Sequence, residues 1–432
     1  MKAKYWPIVR LDDIKAQKKY ALNCGPFGSK LVSRDYIADG VPVIRGTNLT
    51  GDSCFSFDNF VFVSEEKANE LMPNNAHPGD LIFTQRGTLG QVGIIPKNCS
   101  YKRFVVSQSQ MKLTVDEAKA VPYFLYCYFR TPSTIKTIHN LAISSGVPHI
   151  NLDILRNFQV LLPRLAIQRK IAAILSAYDD LIENNTRRIK ILEEMARSLY
   201  REWFVNFRFP GHQQVKMIDS ELGLIPEGWE FKKLTELGLL KRGKSKHRPR
   251  NDPSLYGGKY PFIQTGEVKS ALLYITNYEQ TYNEKGLAQS KLWEPRTLLI
   301  TIAANIAETA IITMSACFPD SIVGFVADFN QVTPELIKYQ IDELKQKMQN
   351  FSRGTAQDNL SLDKLEVFDF LVPAKNIFDL FNQHTEPLFL QIKNLTIKNN
   401  NLRHTRDLLL PKLISGEIDV ENLDINTGEI AA

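Results

Sequence analysis

Leu161-Leu162-Pro163 leads into Ala166-Ile167-Gln168-Arg169-Lys170-Ile171, and from Ala166 to about Phe207 the chain contains no glycine or proline. Leu371-Val372-Pro373 leads into a second long stretch, from about Asn376 to Ser415. In the first, apolar residues recur at Ile167, Ile171, Ile174, Tyr178, Leu181, Leu192, Met195 and Leu199. These steps of three and four draw one stripe along a helix. Arg169, Lys170, Asp179, Glu183, Arg187 and Glu194 fall on the opposite face. At 1.5 Å per residue the helix extends roughly 60 Å. In the second, Leu388, Ile392, Leu395, Asn399, Leu402, Arg406, Leu409 and Leu413 keep a 4-3 rhythm over four heptads, which is a coiled-coil seam. Pro387 is expected to break or kink this helix near its start, and Gly416 to end it. Forty residues is long for a helix of an ordinary core. The two helices are therefore expected to pair antiparallel within one chain, with polar Asn185, Asn399 and Arg406 setting the register. Ordinary core helices, or a zipper between two copies, are the alternatives.

Working outward from the helices, the chain is written twice. Val41-Pro42-Val43-Ile44 recurs as Tyr260-Pro261-Phe262-Ile263, and Pro78 to Thr84 recurs as Pro295 to Thr301. Ile94-Ile95 matches Ile311-Ile312, and Pro122 matches Pro334. Ser144-Ser145-Gly146 through Leu152-Asp153 matches Gly354-Thr355-Ala356 through Leu362-Asp363. A collinear series of this kind marks an internal duplication. Each half opens with short apolar segments bounded by turn residues, such as 41–44, 81–84 and 92–95, which read as strands. Helices are expected over 121–130 and 333–348, each opened by a proline in its first turn. The expected class is α+β: two pseudo-repeated mixed α/β domains separated by two long antiparallel coiled-coil helices. The expected boundaries are 1–163 for the first domain, 164–207 for the central helix and 208–225 for a linker. The second domain then spans 226–373, the C-terminal helix 374–416 and a tail 417–432.

Composition narrows the chemistry. The chain has 432 residues, 44% of them hydrophobic, and a net charge of +6; that suits a polyanionic partner without requiring one. Cys24, Cys54, Cys99, Cys127 and Cys317 are odd in number with no C-x-x-C pair, which argues against a disulfide framework. Seven histidines lack metal-ligand spacing. The N-terminal residues lack a signal-peptide apolar stretch, and no run approaches a membrane span. The expectation is a cytoplasmic, reduced protein that holds no metal.

Gly238 to Ser245 (GLLKRGKS) fits the phosphate-loop pattern G-x-x-x-x-G-K-S. That loop works only where it opens a helix. Here Lys246-His247-Arg248-Pro249-Arg250-Asn251-Asp252-Pro253 follows, with two prolines where the first helical turns belong. No G-x-G-x-x-G, amino-methyltransferase, G-x-S-x-G or H-E-x-x-H motif is present.

Candidate DNA-binding residues are more evident. Lys241–Arg250 holds six Lys/Arg plus His247 in what reads as a loop, with Lys241, Arg242, Lys244, Lys246, His247 and Arg248 able to line a phosphate backbone. A solvated surface loop is the alternative. Gln85, Arg86, Thr88 and Gln91 lie in a glycine-bearing hairpin-like loop and suit base edges: Arg for guanine, Gln for adenine. Arg45, Thr47 and Asn48 form a second set, and His149 after Ser144-Ser145-Gly146 a third. Their repeat counterparts are Gln264, Thr265 and Glu267, then 301–308, then Gln357 and Asn359. The side chains differ between halves, as two similar scaffolds reading different half-sites would require; loops are also polar simply because they are loops.

Taken together the chain resembles the specificity subunits of type I restriction–modification enzymes. The resemblance is carried by Ile225-Pro226-Glu227-Gly228-Trp229 with the Trp6-Pro7 echo, by Gly354–Leu362 (GTAQDNLSL), by Ala166–Ile171 and by Leu402–Glu417 (LRHTRDLLLPKLISGE), and it spans essentially the whole chain. It implies two target-recognition domains, each reading half of a bipartite DNA target, with the helix pair as a ruler. It implies partners: double-stranded DNA, two modification (methyltransferase) subunits and ATP-dependent restriction subunits, with no membrane. Adenosylmethionine, ATP and Mg belong to those partners and no cofactor to this chain, which is then not an enzyme. Residues 301–308 (TIAANIAE) lack the Arg-Gly of Gln85-Arg86-Gly87. Trp203, Phe204 and Phe207 look exposed at the end of the central helix, have no counterpart at Leu413-Ile414, and are expected at a partner or inter-helix contact. An enzyme acting alone, or a scaffold that does not touch DNA, are the competing readings; binding of ATP or adenosylmethionine, and salt-insensitive association, would mark them.

Overall fold

A computed structural model describes residues 6–51, 53–143, 147–303, 305–352 and 359–428. Of the described residues, 41% are helical and 21% strand, and the chain divides into two compact units, 1–184 with 401–432, and 185–400.

In the first unit a four-stranded antiparallel sheet runs in the order Leu22–Cys24, Gln110–Leu113, Leu81–Thr84, Val92–Ile94. The last three strands are buried along their whole length, which is why they read as continuous apolar runs rather than alternating ones. A second sheet orders Val61–Val63, Val41–Ile44, Phe104–Val106 and Asn75–Ala76, with one parallel pair at its centre. Pro122–Phe129 is a helix with its proline in the first turn and nearly every residue buried. Ile8–Arg10 pairs with Gln159–Leu161, so the first and last strands of the domain close on each other.

The second unit repeats this plan. Gly238–Arg242, Ile322–Ala327, Leu298–Thr301 and Thr309–Ile312 stand in the same order, extended by Tyr274–Ile275. Glu230–Lys232 pairs with Phe370–Val372 as the closing pair, and Pro334–Ser352 takes the place of the Pro122 helix. Even single bonds recur. Ile150 N donates to Gln85 O at 3.0 Å, and Leu360 N to Ile302 O at 2.9 Å.

The long helices are Leu165–Tyr200, continued by a π-helical turn at Arg201–Val205, and Lys375–Ile414. Within each unit they run antiparallel. In the first, Lys170 donates to the carbonyls of Glu421 and Leu423, while the later Asp179 meets the earlier Arg406. In the second, Asn185 Nδ2 donates to Asn399 Oδ1 at 2.9 Å, and Trp203 packs on Phe381. Asn185, Asn399 and Arg406 thus sit on the seam as polar residues at register positions.

Three sequence expectations are corrected. The buried line of the central helix is Ile171, Leu175, Asp179, Ile182, Asn185, Ile189, Ala196 and Tyr200, whereas Leu181 and Met195 are 48% and 50% exposed. Counting only apolar residues rotated the stripe, because this seam buries an aspartate and an asparagine that have partners. Pro387 does not break the C-terminal helix. Gln383, whose carbonyl loses its donor there, is exposed to water, while Phe381 and Phe389 on either side of the proline are buried. Trp203 and Phe204 both meet Phe381 of the C-terminal helix, so only their exposure is corrected: they are buried, with Phe204 also on Trp229, and Phe207 lies half-buried against the same Trp229.

Candidate nucleic-acid interface

In both units the strand registers bring the same loops to one end of the main sheet. Cys24 faces Met111, Thr84 faces Gln110 and Phe83 faces Val92. The segments after Cys24, after Thr84 and before Gln110 therefore emerge together. Ser107 N donates to Ile44 O, which adds the turn after Ile44. In the second unit Arg242 faces Val323 and Thr301 faces Ile322, so the segments after Arg242 and after Thr301 do likewise.

The end of the first unit collects polar side chains. Thr84 Oγ1 lies 3.3 Å from Gln91 Oε1. A Cβ built on Gly46 would sit 3.5 Å from Gln110 Nε2 and 4.0 Å from Gln91 Oε1, which places the Arg45 turn against the Gln85–Gln91 loop. Gly87 and Gly90 in that loop take left-handed φ of 104° and 86°, the turn conformations that glycine allows cheaply. Arg86 bridges His149 by backbone pairing, so these two sets also meet. Arg86 and Thr88 are exposed, as is Thr47. The Gln85 Oε1 acceptor is buried without a partner among the described residues. Arg45 is held by the carbonyl of Asn59, and His149 Nδ1 lies 3.2 Å from Val147 O.

Asn48 leaves this set. It is fully buried, accepts from Arg45 N at 2.9 Å, and donates to the carbonyls of Ser56 and Asp58 at 3.1 Å each. Both of its amide N–H groups are used inside the turn and the side chain is out of reach of a base. Glu267 does the same in the repeat, accepting from Gln264 N at 2.7 Å. Gln264 Nε2 donates to Gln280, Thr265 is half-buried beside them, and Asn359 carries a buried side-chain oxygen without a partner among the described residues. Gln357 and the segments 144–146 and 353–358 lie outside the described residues.

The basic stretch is part strand. Gly238–Arg242 pairs with Ile322–Ala327, so Lys241 and Arg242 project from a sheet edge rather than from a loop. Gly243 N and Lys244 N donate to the carbonyls of Ile322 and Phe318. The amides that a phosphate loop would aim at an anion are thus occupied, and no helix follows them. Two of the cations are neutralised at home. Arg248 and Arg250 both pair with Asp320, and His247 Nε2 lies 2.8 Å from Asp252 Oδ2. Lys241, Arg242, Lys244 and Lys246 are exposed and have no carboxylate within ion-pair reach among the described residues. Lys291, which sequence reading missed, joins them, seated 3.7 Å over the Trp293 ring. Burial, and after it the neighbouring Lys241 charge, lowers its pKa below the ordinary lysine value. The Ser107–Gln110 turn was also missed; its polar run between two apolar strands was the available signal.

Among the described residues no cluster of His, Cys, Asp and Glu is placed to hold a metal ion, and no helix is long and apolar enough to cross a membrane.

Comparisons with known proteins give the family and the fold. The family model described as "Type I restriction modification DNA specificity domain" matches residues 6–194 and again 226–401. The MjaIX type I restriction enzyme specificity subunit of Methanocaldococcus jannaschii is 25% identical over 373 residues, 84% of this chain and 82% of that protein. The HindI specificity subunit of Haemophilus influenzae is 24% identical over 383 residues, 73% of this chain and 81% of that one. The crystal structure of the type I restriction–modification S subunit from M. genitalium superposes with a TM-score of 0.57 at 16% identity, covering 94% of this chain and 96% of that chain; it shares the fold. With two matched copies of the domain covering most of its length, the chain belongs to the type I restriction–modification DNA specificity family.

Proposed function

We propose that this chain reads DNA for a type I restriction–modification complex without performing catalysis itself. Residues 1–163 and 226–373 act as two recognition domains, each contacting one half of a bipartite target through the loops at one end of its main sheet. Residues 164–207 and 374–416 act as the spacer and dock two modification subunits, which a restriction subunit joins in the cytoplasm. Adenosylmethionine, ATP and Mg act in those partners. Readers on one DNA face suit half-sites about one helical turn apart.

The carrying observation is the group of exposed cations at Lys241, Arg242, Lys244 and Lys246, unpaired among the described residues, at the same end of the repeated sheet where the other repeat gathers Arg86, Thr88 and Gln91. Cations left without carboxylates suit a phosphate backbone, whereas Arg and Gln on a glycine-bearing loop suit base edges.

The test is DNA affinity of the assembled complex as a function of salt. Each phosphate contact contributes about 0.9 to the log–log slope. Replacing the four cations by glutamine should flatten the slope by about 3 to 4 and weaken target and scrambled duplexes alike. Arg86→Ala should instead cost about 1–3 kcal/mol at one base position and relax the sequence preference there. A wild-type affinity that does not respond to salt would favour the scaffold reading, and ATP or adenosylmethionine binding by the isolated chain would favour an enzyme.

A further inference from the structure

The loop after Leu22–Cys24 occupies, in the first repeat, the place that the cationic stretch occupies in the second, because Leu22–Cys24 and Gly238–Arg242 hold equivalent edge positions in their sheets. Its chemistry is opposite. Gly25-Pro26-Phe27-Gly28-Ser29-Lys30 carries an aromatic ring at its tip. Phe27 is 69% exposed, the highest value of any large hydrophobic side chain among the described residues. A single exposed apolar residue is ordinary on a protein surface. What distinguishes this one is how firmly it is held outward. Pro26 and Leu31 on either side are buried. Gly25 N donates to Gln110 O at 2.9 Å, and its α-carbon is pressed so closely on Ser107 that a Cβ would fall 1.8 Å from the Ser107 carbonyl oxygen. Gln108 Nε2 donates to the Gly28 carbonyl, and Gly28 has a φ of 62° before the short 3-10 turn Gly28–Lys30. The ring is thus presented by a pinned turn that joins, through Ser107–Gln110, the same cluster as Gln91 and the Arg45 turn.

We infer that Phe27 is a base-contacting residue of the first recognition domain, stacking on a base or entering a base step of its half-site. A phenyl ring offers no hydrogen bond, so it cannot read a donor–acceptor pattern; it can stack on any base or wedge an easily unstacked step. The first half-site is then gripped partly by an uncharged contact, where the second is gripped by cations. This rests on the DNA-reading function proposed above.

The experiment uses the full chain assembled with its modification subunits and a duplex bearing the target mapped from methylated adenines. Wild type, Phe27→Ala and Phe27→Trp are titrated at several salt concentrations, with 2-aminopurine placed at successive positions of the first half-site. Stacking of 1–3 kcal/mol corresponds to roughly 5- to 150-fold. Phe27→Ala is expected to lose affinity within that range with an unchanged salt slope, and Phe27→Trp to stay within a few-fold of wild type. A position whose fluorescence rises with wild type and Phe27→Trp should stay dark with Phe27→Ala. Phe27→Ala binding like wild type with the same fluorescence, or weakening only through the salt slope, overturns the inference while leaving DNA reading intact. A wild-type complex that does not prefer its target over a scrambled duplex overturns both.

Discussion

Asn48 and Arg86 look alike as candidates in the sequence, since both are polar residues in loops between apolar strands. Packing separates them. Asn48 holds three backbone groups inside its turn, while Arg86 reaches solvent beside His149. Truncating Asn48 to alanine strands a buried N–H and two carbonyls, at about 1–3 kcal/mol for an unsatisfied buried group. Asn48→Ala should therefore lower the urea midpoint clearly, while Arg86→Ala stays within about 0.5 kcal/mol of wild type, as exposed substitutions usually do. Equal midpoints for the two variants would return Asn48 to the set of readers. Position 296 shows the same dependence on surroundings. Gly79 takes a φ of 89° in the first repeat; its counterpart Arg296 takes 69°, a backbone that costs a non-glycine residue about 1 kcal/mol. The guanidinium lies over the Phe329 ring at 4.5 Å and 3.6 Å from buried Glu335, contacts that offset the cost.

At the scale of the element, the long helices were the most legible part of the sequence and their buried face the least. Absence of glycine and proline announced a helix from Ala166, and the 4-3 rhythm placed the C-terminal seam correctly at Ile392, Leu395, Asn399, Arg406 and Leu413. The central seam was misplaced because Asp179 was counted as a solvent residue. It is 8% exposed, bonded to Arg406 Nη1 and the Tyr123 hydroxyl at 2.5 Å each, with Arg130 3.6 Å away. No spacing rule reveals a carboxylate whose three partners come from 49 to 227 residues away in the chain. The duplication was legible for the opposite reason: it rests on many weak matches in one order. The basic stretch was legible as charge but not as geometry, since only the fold shows that Asp320 neutralises two of its arginines. Removing one partner of a buried ion pair costs about 3–5 kcal/mol, while replacing both by apolar groups is often neutral. Asp179→Ala should destabilise the protein by that amount in urea unfolding. Asp179→Leu combined with Arg406→Leu should recover most of the loss; a double variant as weak as the single would show that Arg406 is not the group left stranded.

At the scale of the molecule, the seam distinguishes unlike helices from like ones. The helices begin at Leu165 and Lys375, each two residues past a proline, so positions 210 residues apart match. Asp179 then matches Phe389, Arg406 matches Ala196, Asn185 matches Leu395 and Asn399 matches Ile189, and every one of these is buried. In the chain as it stands, Asp179 meets Arg406 and Asn185 meets Asn399. Were two copies of the central helix to pair by the same register, Asp179 would face Ala196 and Asn185 would face Ile189. Two copies of the C-terminal helix would set Arg406 against Phe389 and Asn399 against Leu395. In either like-with-like pair a seam asparagine faces an aliphatic side chain, Ile189 or Leu395, and loses its amide partner, whereas the unlike pair satisfies both asparagines. Asp179 keeps Tyr123 and Arg130, and Arg406 keeps Asp407, in either case. The duplicated chain thus carries two unlike helices whose polar residues match each other across the seam. Cut within residues 208–225 and expressed together, the two pieces should copurify in a 1:1 complex. Each piece expressed alone should fail to form a stable dimer by light scattering, although Asp179→Ala with Asn185→Leu should raise self-association of the first piece. A stable dimer of either unsubstituted piece, formed as readily as the mixed complex, would show that these polar positions do not decide the pairing.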